Sequence, residues 1–235
     1  MSFIKAEWRK LAIANYAVDA AVLKPYLPAK TELDKWNDTV YISLVGFMFV
    51  NTKVLGLKIP FHTNFEEANL RFYVRHKDGN EWKRGVVFIK EIVPRYAITF
   101  VANNLYKEHY QTLPMRHLWK VKDKTRLTQY EWKCNNQWQS FSVESTIESE
   151  PIPQNSETEF ITEHYWGYTK INPTKTFEYE VTHPKWEAYP VHKYNIEVDF
   201  GLTYGPEFQF LNELQPKSVM LAEGSLITVE NKREL

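Results

Sequence analysis

The stretch "FEEANLRFYVRHKDG", residues 65–79, decides how this chain is read. Side chains alternate across a β-strand, so Glu67, Asn69, Arg71 and Tyr73 share one face while Ala68, Leu70, Phe72 and Val74 share the other. The apolar row is the core side. The polar row fits two readings. A half-buried antiparallel strand turns such a row to water. Alternatively the row lines a cavity, where Arg71 would hold a carboxylate bidentately, Glu67 would act as acid or base with its pKa raised by burial, and Asn69 and Tyr73 would orient the ligand.

The dipeptide Asp78-Gly79 is a two-residue hairpin signal, so 65–76 and 84–92 ("RGVVFIKEI") should pair antiparallel. Upstream, "YISLVGFMFV" (41–50) is continuously apolar, as in a strand covered on both faces or wrapping a closed sheet. An opening strand at 8–17 leads to a short helix that Asp19 caps and Pro28 stops. Downstream, "RYAITFVANNLYKEH" (95–109) predicts a helix from the spacing of Ile98, Val101, Ala102 and Leu105, closed by Leu113-Pro114. Segments 115–123, 126–134 and 138–148 read as a meander turning at "NNQ". "ESEPIPQNSE" is the best linker candidate but is short, and Ser156 and Glu159 after it have capping-box spacing. Strands at 175–183 and 187–199, a helical turn after Asp199 and a final strand pair around "SVMLAEGSLITVE" complete a mainly β (α+β) chain. One domain over residues 1–235 is expected.

Composition narrows the function classes. Aromatic residues make up 15% of the chain and favour β structure. Basic and acidic side chains balance at 29 each, with no run of like charge, so the electrostatic footprint of a nucleic-acid binder is missing. "MSFIKAEWRKLAIANYA" mixes charges among apolar residues and offers no signal-peptide core. The longest apolar run falls well short of the ~18 residues that span a bilayer. With a single cysteine, Cys134, read as a small apolar residue in a strand, these features predict a cytoplasmic protein with neither nucleic-acid nor membrane partner.

The seven histidines form no HExxH pair and no Cys-His cluster, so no metal is expected. Each reads best as a surface or structural residue, with His117 of more interest because it follows the Leu-Pro turn. Only 8 glycines are present, and none cluster to cradle a phosphate; no GxSxG elbow, P-loop or GxGxxG occurs, so no cofactor is called for. The tripeptide Glu-His-Tyr occurs at 108–110 and again at 163–165, a match short enough for chance.

"FEEANLRFYV" resembles the F-x-E-x-N-x-R-x-Y-V signature of the YqjF-like proteins, an uncharacterised family related to the acetoacetate decarboxylase superfamily. "NYAVDAAVLKPYLPA", "YISLVGFMF", "RGVVFI", "EFITEHYWGYT", "THPKWEAYPV" and "SVMLAEGS" look like that family's segments in the same order. The resemblance implies a strongly curved antiparallel sheet forming a cone or half-barrel around a central pocket, with helices outside. It also implies that Glu67 reaches into that pocket. The decarboxylase uses a Schiff-base lysine, one of two lysines that follow a proline. If Pro114 of "QTLPMRH" is the equivalent proline, Met115 stands where the nucleophile would be and Arg116 where its neighbour would be. A thioether forms no imine and an arginine is too basic to serve as the amine. Lys107 and Lys120 read as solvated side chains.

The expected site is therefore Glu67, Asn69, Arg71 and Tyr73, with Met115 and His117 at its wall, Glu67 and Arg71 being the catalytic pair. Its ligand would be a small organic acid or carbonyl compound, handled by acid–base chemistry without a Schiff base. The alternative is a non-catalytic binding or oligomeric module that has lost the chemistry; a decarboxylase-like lyase is the minority reading. Edge strands and aromatics that need cover point to a homo-oligomer.

Overall fold

Alternating aromatic and β-branched residues build long strands in the computed structural model, which describes residues 2–235. The first, β1 (Ile4–Val18), ends at Asp19, whose carboxylate accepts from the Ala21 amide to start α1 (Ala20–Leu23). Short β2 (Thr31–Leu33) precedes three long antiparallel strands, β3 (Val40–Val54), β4 (Phe65–Asp78) and β5 (Glu81–Val93). The β4–β5 loop is Gly79-Asn80, one residue later than Asp78-Gly79, because Asp78 already pairs with Glu81 and it is Gly79 that takes the positive φ of 60°.

The helix expected over 95–109 breaks in two. α2 (Tyr96–Val101) runs into a π-helical turn over Ala102–Tyr106, and Lys107 in the left-handed region stops it. The chain then swings back so that β6 (Tyr110–Thr112) pairs with β5. The meander follows as read: β7 (Met115–Lys122), β8 (Thr125–Cys134) and β9 (Gln137–Thr146), with Asn135 and Asn136 both at positive φ in the tight turn.

The candidate linker contains a strand, β10 (Glu150–Pro151), so it belongs to the fold. Ser156 then caps α3 (Glu157–Thr162). β11 (Trp166–Lys170), β12 (Thr176–Thr182), β13 (Glu187–Tyr189) and β14 (Val191–Glu197) lead to α4 (Phe200–Tyr204), capped by Asp199. The expected last strand pair is one continuous strand, β15 (Ser218–Val229), with β16 (Arg233–Glu234) beyond it. Within β15, Gly224, at a positive φ of 78°, lets the strand come close to β1: a Cβ there would lie 2.0 Å from the Trp8 carbonyl oxygen.

Twelve strands form one sheet in the order β10-β13-β15-β1-β3-β4-β5-β11-β12-β16, with β2 on β4 and β6 on β5. β12 also meets β15 at Val181–Val229, so the strongly curved sheet returns on itself. A second sheet, β14-β9-β8-β7, covers its outer face. Two cores result. Ala68, Leu70, Phe72 and Val74 pack with Tyr130, Trp132, Phe141 and Val143 between the sheets. Phe47, Phe49, Phe65 and Val86 belong to a second cluster on the concave side. β3 is buried on both faces, which is why its apolarity is continuous. No helix among the described residues is long and apolar enough to cross a membrane.

Candidate functional site

The concave face encloses a cavity of about 170 Å³. Phe65, Glu67, Asn69 and Arg71 line it from successive inward positions of β4, and Glu91 lines it from β5. Glu67 is 2% exposed and Arg71 7%, so the polar row does not face bulk water: the sheet curls around it.

The expected residues divide. Glu67, Asn69 and Arg71 come together at the cavity. Tyr73 is buried on the same face but lies behind them, donating to Ser43 Oγ at 2.8 Å, which in turn donates to Asn15 Oδ1 at 2.6 Å. Its ring sits 5.8 Å from Arg71 Cζ and 4.7 Å from the His164 ring, a support shared by both. The expectation for Met115 and His117 needs correcting, because neither lines the cavity. Both are on β7 in the second sheet, on the far side of β4. His117 Nδ1 lies 2.6 Å from Glu66 Oε1, and Glu66, next to Glu67, points to the opposite face by strand alternation. Met115 packs at the core between the sheets, and Arg116 is exposed, paired with Glu131 at 2.6 Å.

Two further glutamates are there. Glu108, just after the π turn, and Glu91 join Glu67 as fully buried carboxyls. Burial pushes Glu67 up to about 7 even though Asn69, Tyr110 and the charge of Arg71 pull it down. Asn69 Nδ2 donates to Glu67 Oε1 at 2.9 Å and the Tyr110 hydroxyl to Oε2 at 3.2 Å. Burial likewise raises Glu108 to about 7, against donors from Thr169 Oγ1 at 2.5 Å and Tyr179 at 3.1 Å. Glu91 is driven well above the ordinary carboxylate range by burial and by Glu108 and Glu67 beside it. Protons retained at neutral pH would limit the charge of this cluster. Glu91 Oε2 and Asn69 Oδ1 lack donors, and these residues oppose each other across β4 and β5. A proton kept on Glu91 makes it a donor and removes one of these deficits.

Arg71 is unlike Arg84, which is paired with Asp34 at 2.6 Å. Among the described residues it has no carboxylate within ion-pair distance, and its Nε has no partner. Nearby, His164 follows α3 and lines the cavity beside Thr162. Burial raises Asp34, but bonds from His164 and Arg84 outweigh this and hold it below its usual value. His164 is lowered by burial to about 4, so it is neutral, its Nε2–H directed to Asp34 Oδ2 at 3.1 Å. Its Nδ1 has no partner among the described residues. The repeated Glu-His-Tyr has no shared role: the first copy turns its outer members, Glu108 and Tyr110, into the cavity, and the second turns in its central His164. Chemically, the site offers an unneutralised guanidinium, carboxyls able to hold or release a proton near neutrality, and a largely aromatic and aliphatic wall.

Solved structures with this fold include acetoacetate decarboxylases and an acetoacetate decarboxylase-like enzyme. The acetoacetate decarboxylase of Legionella pneumophila superposes with a TM-score of 0.67 at 12% identity, over 99% of this chain and 86% of that one. An acetoacetate decarboxylase-like enzyme from Sphingomonas wittichii RW1 gives 0.64 at 9% identity, over 100% and 93%. The enduracididine biosynthesis enzyme MppR, complexed with pyruvate, gives 0.67 at 11%, over 100% and 91%. The fold is thus acetoacetate-decarboxylase-like; at such identities the likeness extends to fold alone. In sequence, the uncharacterized protein YqjF of Bacillus subtilis (strain 168) is 34% identical over 86 residues, which is 36% of this chain and about a third (34%) of that relative's length. Residues 5–226 match DUF2071, described as an uncharacterized conserved protein, and the chain belongs to that family.

Proposed function

We propose that the chain, as one domain, binds a small organic acid or carbonyl compound in the concave cavity, with Arg71 holding the anionic end and Glu67 acting as proton donor or acceptor. The observation that carries this is Arg71, a guanidinium nine-tenths buried at the cavity wall without a carboxylate partner among the described residues. A buried cation in that state is stabilised by an anion. MppR's complex with pyruvate, an oxo acid, is of the class proposed. No lysine is among the described residues lining the cavity, and this favours acid–base over Schiff-base chemistry.

Thermal melts with small oxo acids test the reading. Ligands should raise the midpoint of the wild type, and Arg71→Ala should lose that rise; an equal rise in both would remove Arg71 from the site. Borohydride treatment in the presence of the same acids should leave the intact mass unchanged, whereas an adduct on any lysine would restore the decarboxylase reading.

The second reading, a non-catalytic binding module that has lost the chemistry, is favoured by the missing lysine: none is among the described residues lining the cavity. It predicts ligand binding without turnover in Glu67→Gln and wild type alike. The reading also takes the protein to be a cytoplasmic homo-oligomer, with the exposed edge strand β7, which carries Leu118 and Val121, as the element a second copy would cover. Light scattering at the mass of one chain would remove that assembly.

A further inference from the structure

We propose that the cavity takes an amphiphilic carboxylic acid, with its carboxylate on Arg71 and an apolar body running out along β4 to an apolar mouth. This rests on Arg71 as the anion anchor. The wall is graded along one strand. Arg71, Asn69, Glu67 and Phe65 face inward at two-residue steps of about 6.6 Å, so the polar end and Phe65 lie roughly 20 Å apart along an ideal strand. Phe65 stacks on Phe49 at 4.8 Å, and Trp8 meets Phe49 edge-on at 6.0 Å, which makes the outer half aromatic.

Beyond these rings the lining residues become exposed. Ile59 and His62 come from the segment between β3 and β4, and Ala97 from α2; they mark the opening. The same segment leaves Phe61 86% exposed and Leu57 71% exposed, and Tyr96 and Phe100 of α2 are exposed as well. Exposed apolar side chains on the same segments that supply the rim residues Ile59 and Ala97 offer surface for an apolar ligand tail. An acid of two to four carbons on Arg71 would leave the aromatic half unfilled. A chain of eight to twelve carbons extends along β4 toward that half, the longest members reaching farthest toward Phe65 and the rim.

Calorimetry on the full chain at pH 7.5, with straight-chain carboxylates from butyrate to dodecanoate below their aggregation limits and with alcohols of matching length, tests this. Affinity for the carboxylates should rise about fourfold per added methylene over part of the series. Each carboxylate should bind at least tenfold tighter than its alcohol, and Arg71→Met should abolish that preference. In Phe61→Ser, whose site is exposed and tolerant, the gain per methylene should shrink for the longest acids only. Binding of butyrate within twofold of decanoate would overturn the amphiphile while leaving Arg71 as an anchor. Equal binding of acids and alcohols, or no binding of any acid, would overturn the anion reading and this inference with it. If Arg71→Met does not fold, the acid–alcohol comparison in the wild type decides the same point.

Discussion

Arg71 and the three buried carboxyls store a conflict that pH exposes. Burial raises Glu108 from an ordinary 4.5 to about 7 and pushes Glu91 well above the ordinary carboxylate range, so the folded state binds protons more tightly than the unfolded one. Stability from these groups is therefore highest below about 4.5 and falls as pH rises through 7. Glutamine does not titrate. The melting midpoint of Glu91→Gln should gain on the wild type as pH rises from 6 to 8, by on the order of 5 °C, given about 2–4 °C per kcal/mol for a chain this long. A constant gap would mean Glu91 is not the proton holder. His164 acts in the other sense: lowered from 6.5 to about 4, it removes stability as pH falls through that window. Arg71→Met should raise the midpoint of the ligand-free protein, since an unpartnered buried donor costs about 1–3 kcal/mol, while Glu67 titrates higher without the cation that pulls it down. Carboxyl titration followed by infrared spectroscopy checks the second half. Of these residues, Glu67, Asn69 and Arg71 were legible from alternation, but alternation only separates two faces and does not say which is wet. Glu91 was hidden by a bulge: Leu70 pairs with Lys90 and Arg71 with Phe88, so Ile89 is extra and the inward parity switches.

At the scale of elements, local chemistry was readable and long-range chemistry was not. The Ser156 cap was evident from spacing, and in the structure its hydroxyl accepts from the Glu159 amide at 3.1 Å while Glu159 takes the Asn155 amide at 2.7 Å. Ser156→Ala should cost about 1 kcal/mol and speed amide exchange in α3 and in the turn carrying His164. The π turn after α2 had no comparable signal, since it arises where the chain must return to pair with β5, and it is this turn that delivers Glu108. Gly167 of β11 shows a similar tertiary demand: an added Cβ would lie 2.1 Å from Tyr179 Cζ. Gly167→Ala should displace Tyr179 from Glu108 and cost about 1–3 kcal/mol in denaturant unfolding.

Across the whole molecule, the mainly β class followed from composition and patterning, because aromatic and β-branched alternation is a property of each strand alone. Which strands are neighbours is not. β1 lies between β3, which is near it in sequence, and β15, some 200 positions away. β15 also holds β13 and touches β12, so the ring around the cavity closes through it. This connectivity sets the order of events during synthesis. Until residues 218–229 have left the ribosome, β1 keeps an unpaired edge and the aromatic wall has no closing side. The chain cannot mature segment by segment, and a version ending before Ser218 should show no cooperative melt. The nascent chain therefore carries an open β1 edge for as long as β15 is missing, and holding factors that bind apolar strand edges should associate with it until residues 218–229 emerge.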